Sequence, residues 1–117
     1  MIHMNEAEVQ EAVDDALDSL PFEVIEQVAQ SNTVILVEQE PPPGQHLLGL
    51  YEGVPLDQRG TTDGMVEPGR IIVYRGPLQR AAQSRDDLVQ GIRVTVLHEI
   101  GHLFGIEEDR LHELGWG

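Results

Sequence analysis

The stretch RVTVLHEIGHLFGIEEDRLHELGWG, residues 93–117, decides how the rest of the chain is read. Inside it lies HEIGH, His98 to His102. Histidines four apart on a helix project to the same side and can share one ion. A glutamate directly after the first histidine can take a proton from a water that such an ion activates, then pass it to a leaving amine. Zinc takes imidazole nitrogen and carboxylate oxygen in a tetrahedron and keeps one position open in catalytic sites. Spacing and residue type thus point to His98 and His102 as ligands of Zn2+ and to Glu99 as general base.

A third ligand has to come from the residues after His102. Gly105 stands three residues beyond that histidine and suits the left-handed turn that ends a helix. Such a turn lets the chain fold back beneath the motif. Glu108 leads among the groups it would bring up. His112, one helical turn later, projects to the same side, and Asp109 offers another carboxylate. Acids at 107–109 also suit the first turn of a helix, where they meet its positive end without any metal.

Outward from the motif, the spacing predicts a helix from Arg85 to Phe104, capped by Ser84 with Asp87 at the third position. Val89, Ile92, Val96, Leu97, Ile100, Leu103 and Phe104 form an apolar face. His98 and His102 fall on the opposite side, beside Gly91, Thr95 and Gly105. Glycines and β-branched residues give this helix mediocre propensity, so packing must hold it.

Upstream, Asn5 to Leu20 reads as a helix, and Pro21 opens a second with Phe22, Ile25, Val28 and Ala29 on one side. Thr33 to Glu38, TVILVE, reads as a buried strand. Pro41 to Gly44 is a stiff loop. His46 to Gly53 is a second strand whose Gly49 suggests an edge or a bulge. Residues 53–69 read as a long surface loop, Arg70 to Gly76 as a third strand, and Pro77 to Arg85 as a connector. A last short helix opens at Glu107–Asp109 and ends near Gly115. The expectation is one α+β domain over residues 1–117, with a three- to four-stranded mixed sheet packed on helices.

Composition narrows the function classes. Twenty-one acidic against 7 basic side chains give a formal net charge of -14. Nucleic acid and anionic membranes need clustered Lys and Arg, so neither is an expected partner. Without cysteine there is no disulfide, thiolate ligand or thiol nucleophile. No run approaches the ~18 apolar residues of a membrane span. The opening MIHMNEAEVQ lacks a basic start and an apolar run, so a cytoplasmic protein is expected. His46 is placed to line a cleft, while His3 lies near a terminus. Tyr51 and Tyr74 each carry a hydroxyl that could meet a developing oxyanion, although strand packing accounts for both. Trp116 is expected to dock the final residues onto the body.

His98-Glu99-Ile100-Gly101-His102-Leu103-Phe104-Gly105 resembles the zincin metallopeptidases, and its HExxHxxG extension is shared with the metzincin branch. In length and element order the whole chain is similar to the bacterial mini-zincins. The resemblance implies a minimal zincin lobe: a small twisted sheet on helices, with the active-site helix behind it. It implies zinc held by His98 and His102, Glu99 as general base, and a third ligand at Glu108, where the metzincin pattern has histidine. No Met-turn sequence follows before Gly117, so no lower cleft wall is expected. The likeness further implies substrate bound by strand addition along 46–53. The expected activity is zinc-dependent hydrolysis of peptide bonds, on short or flexible peptides. The rival is a non-catalytic metal-binding or protein-interaction module on the same scaffold. A third reading has a partner chain complete the cleft.

Overall fold

The computed structural model describes residues 2–58 and 68–116. The loop expected over 53–69 therefore lies largely outside the described residues. Its first part holds a short 3-10 turn, Leu56–Gln58.

Helix α1 spans Glu6–Asp18 and opens on a capping box. The Glu8 N–H donates to the Asn5 side chain at 2.8 Å, and the Asn5 N–H donates back to the Glu8 carboxylate at 3.1 Å. Two otherwise unpaired donors are satisfied reciprocally. Val9, Ala12, Val13 and Ala16 are buried along one stripe. Helix α2, Phe22–Gln30, buries only Val28 among its residues. Periodicity puts Phe22 on its inner side, yet this residue is 69% exposed at the helix start.

Three strands follow: β1 Thr33–Glu38, β2 Gly49–Glu52 and β3 Gly69–Tyr74. Their order is β1-β3-β2, with β1 parallel and β2 antiparallel to β3. The mixed sheet thus has three strands, the lower of the expected numbers. TVILVE has the composition of a buried strand, but it lies at an edge and Val34 is 47% exposed. The central place belongs to β3, whose Ile71, Ile72, Val73 and Tyr74 are all buried. Alternation along the strands sends Ile71 and Val73 into the main core, with Ile35 and Val37 of β1 and Tyr51 of β2. Ile72 and Tyr74 face the other side of the sheet.

The connector after β3 is in fact a helix, α3, Arg75–Ala81. Pro77 sits in its first turn, where a missing N–H breaks no bond. Helix α4 runs Arg85–Leu103, with Ser84 accepting from the Asp87 N–H at 3.0 Å as its cap. It packs against α1, β2 and β3. Leu88 carries the buried contact at its start, while Val89 is 41% exposed. The side opposite its apolar face is covered as well: Thr95 and Glu99 are buried, beneath β2. Helix α5, Glu108–Glu113, closes the described chain. Among the described residues no helix is long and apolar enough to cross a membrane.

Candidate metal centre

Two turns of the same kind build the site. Phe104 ends α4, and Gly105 follows at φ 81. Gly105 N–H donates to the His102 carbonyl at 3.0 Å, and Ile106 N–H to the Gly101 carbonyl at 2.9 Å. This pair of bonds is the Schellman closure, which needs a left-handed residue where glycine costs least. The chain reverses there, and the first turn of α5 lifts Glu108 to the histidines. Helix α5 ends identically: Gly115 has φ 79, its N–H donates to the His112 carbonyl at 3.1 Å, and Trp116 N–H donates to the Leu111 carbonyl at 2.9 Å. That second reversal aims the Trp116 carbonyl at His98. Leu111 pins α5 to α4; it is fully buried and lies against Gly101, where a Cβ would meet Leu111 Cδ2 at 2.2 Å.

The rings of His98 and His102 stand edge to face, centroids 4.7 Å apart. Ligand atoms of His98, Glu99 and His102 all lie within 4.8 Å of one another. One carboxylate oxygen of Glu108 lies 2.9 Å from Nε2 of His98 and 2.9 Å from Nε2 of His102. Tetrahedral zinc with arms of about 2.0–2.1 Å sets its ligand atoms roughly 3.3 Å apart. Both nitrogen–oxygen separations are thus within about half an ångström of zinc spacing. The protons point the same way. His98 Nδ1 faces the Trp116 carbonyl at 3.2 Å, and a carbonyl only accepts, so Nδ1 carries the hydrogen. A neutral imidazole then turns a lone pair from Nε2 toward an acceptor, the Glu108 carboxylate. A cation between them, or a second proton, resolves that contact. His112 and Asp109 make no hydrogen bond or ion pair with either histidine among the described residues.

Glu99 is buried, and β2 holds it. The Tyr51 backbone N–H adds a small lowering pull on its pKa. At Gly49 a Cβ would meet Thr95 Cγ2 at 2.5 Å and Glu99 Cγ at 3.3 Å, so β2 reaches this close only because the residue is glycine. Burial raises the pKa of Glu99 above its usual 4.5, against the lowering pull of His102 and His98. Glu108 goes the other way. Some burial pushes it up, but in the metal-free case with the second proton on the rings, the hydrogen bond from His98 and the positive charge of both rings outweigh this and lower it from 4.5.

A cavity of about 560 Å³ opens over these groups, lined by His46, Leu47, Leu48, Val94 and Thr95 beside the histidines and glutamates. The Tyr51 hydroxyl is turned away and donates to the Val54 carbonyl at 3.0 Å. Tyr74 lies on the far face of the sheet. Neither hydroxyl takes the oxyanion role; both side chains pack the strands. Trp116 docks on the core as expected. Sequence reasoning missed the Trp116 carbonyl and the Tyr51 N–H, because backbone groups leave no mark in residue identity.

Paired helical imidazoles, a carboxylate returned by a turn and a buried glutamate beside them are a donor group suited to a metal ion. The model of the zincin-like metallopeptidase family matches residues 22–116, and the chain belongs to that family. No curated protein matches the chain. Membership implies a bound metal, for which the histidine and glutamate group is the fitting donor set.

Proposed function

We propose that this protein is a zinc-dependent peptidase in which His98, His102 and Glu108 hold the ion and Glu99 moves the proton. The observation that carries the reading is the single Glu108 oxygen shared at 2.9 Å by both Nε2 atoms. Two histidines and one carboxylate with a fourth position open is a donor set of catalytic zinc. When bound, zinc supplies a Lewis acid that polarises the scissile carbonyl and makes water nucleophilic near neutral pH.

The chain's own groups do the rest. The Trp116 carbonyl fixes the tautomer of His98 and so keeps its Nε2 free for the ion. Glu99 accepts the proton of the attacking water on its carboxylate and delivers it to the amine that leaves. Its raised pKa suits that traffic, since a base poised nearer neutrality also serves as the acid. The cavity takes a peptide lying along β2, and its shallow form suits short or flexible substrates. Glu99→Gln tests the assignment. The expected result is full zinc content, by metal analysis, with peptide turnover down by about 10²–10⁴-fold. Turnover surviving that change would remove Glu99 from the mechanism. Zinc retention without cleavage of any peptide by the unaltered protein would favour a non-catalytic binding module.

A further inference from the structure

The sheet face turned away from the metal centre has a site of its own. After β1 the chain folds back over the sheet through Pro41–Pro43. Two contacts anchor that loop: Gly76 N–H donates to the Gln39 carbonyl at 2.8 Å, and Arg80 makes two 2.8 Å hydrogen bonds to Glu40. Between loop and sheet lies a cavity of about 420 Å³. Leu50, Ile72, Pro41 and Pro42 form its apolar wall. Glu38, Glu40, Gln45, Glu52, Arg70 and Tyr74 are its polar groups.

The charges inside do not cancel. Arg70 pairs with Glu52, and Glu40 with Arg80, but Glu38 has no ion pair among the described residues. Tyr74 is only 2% exposed, yet its hydroxyl has no hydrogen-bond partner among the described residues. Leaving a buried hydroxyl unpaired is unfavourable, so a group that bonds to it here gains by doing so. Burial, then the negative field of Glu38 and Glu52, raises its pKa, which keeps the hydroxyl protonated and able to bond.

These carboxylates do not converge as a metal site would: among the described residues, the ligand atoms found close enough together for an ion belong to the centre at His98, Glu99, His102 and Glu108. The chain also lacks an ammonium side chain of its own to fill the space, because all 7 of its basic residues are arginine. An aliphatic stem ending in a positive charge fits both walls, with methylenes against Leu50 and Ile72 and the cation at Tyr74 and Glu38.

We propose that this outer-face cavity binds the basic side chain, Lys or Arg, of a peptide or protein partner, through the Tyr74 hydroxyl and the Glu38 carboxylate. The site stands whether or not the metal centre turns over. Leu50 lines this cavity and the one over the metal centre alike, so one extended chain crossing β2 can reach both.

The test is an NMR titration of the full, zinc-loaded chain carrying Glu99→Gln, with an acetylated and amidated pentapeptide bearing a central lysine. Amide shifts at Glu38, Ile72 and Tyr74 are followed separately from those at His98 and His102. Saturable shifts are expected at the first set. The same peptide with norleucine in place of lysine, and n-butylammonium alone, are expected to bind at least about tenfold more weakly. Tyr74→Phe, which alters no charge and little volume, is expected to weaken binding about tenfold, and Glu38→Gln similarly. Glu11→Gln, on the exposed side of α1, is expected to leave it unchanged. Equal weakening by Glu38→Gln and Glu11→Gln, or no effect of Tyr74→Phe in a protein of unchanged melting temperature, would mean diffuse attraction to an acidic surface and overturn the site. Equal binding of n-butylammonium would overturn the assignment to a peptide side chain.

Discussion

Glu99 and Glu108 sit within one site and titrate in opposite directions. A carboxyl whose folded pKa is raised stabilises the fold below its unfolded pKa and ceases to do so as pH rises through the folded value. Metal-free Glu99→Gln is therefore expected to gain melting temperature relative to the unaltered protein as pH rises above 4.5 and through the raised folded value, with no such gain below 4.5, which thermal scans across pH would check. For Glu108 the sign reverses, and its contribution appears above 4.5 and fades as pH drops. Losing Glu108 as a ligand is expected to weaken zinc by more than the roughly 10–100-fold that outer-shell losses cost, measured for Glu108→Ala by competition with a chelator. At this scale His98, Glu99 and His102 were legible because the HExxH spacing is itself a geometric statement. That Glu108, rather than His112 or Asp109, stands beside both histidines was not legible there, since three groups near one turn differ only in where the backbone leaves them.

Helices and turns set where those groups stand. Leu111 is the wedge that fixes α5 under α4, so Leu111→Ala is expected to cost about 2–5 kcal/mol in urea unfolding and to loosen zinc as Glu108 drifts. Gly115→Ala leaves every side chain of the site in place. It strains a φ of 79, and with it the turn that aims the Trp116 carbonyl at His98. The expected outcome is zinc weakened by about 10–100-fold with Glu99 untouched, read by the same chelator competition. The sequence announced α4 and its end, because cap, periodicity and Gly105 agree. It hid α3, where Gly76 and Pro77 imitate a loop while lying in a first turn that tolerates both. It misplaced Val89 as well: the burial of Leu88 shows the inner stripe one residue earlier than periodicity alone suggests.

Across the whole molecule, charge is the dominant long-range term. With -14 on 117 residues, self-repulsion opposes the compact state, and exposed pairs such as Arg70–Glu52 offset little of it. Raising sodium chloride from about 0.01 to 0.3 M, which shortens the Debye length from ~30 Å to well under 10 Å, is expected to raise the melting temperature of the metal-free protein. A drop would mean that local ion pairs outweigh the net charge. Strand existence was readable from β-branched runs, but the order β1-β3-β2 was not. Nothing in TVILVE or RIIVY says which lies in the middle, and only the contrast in burial between Val34 and Ile72 reveals it.

The contacts around the metal position are short in sequence: Glu108 is ten residues from His98, and the Trp116 carbonyl eighteen. The packing that buries Glu99 comes instead from β2, where Gly49 lies against its side chain. Local contacts close fast during folding, and distant ones wait for loop closure. On the proposed ligand assignment, the α4–α5 hairpin that brings His98, His102 and Glu108 together closes before β2 arrives to bury Glu99, so metal capture precedes completion of the site.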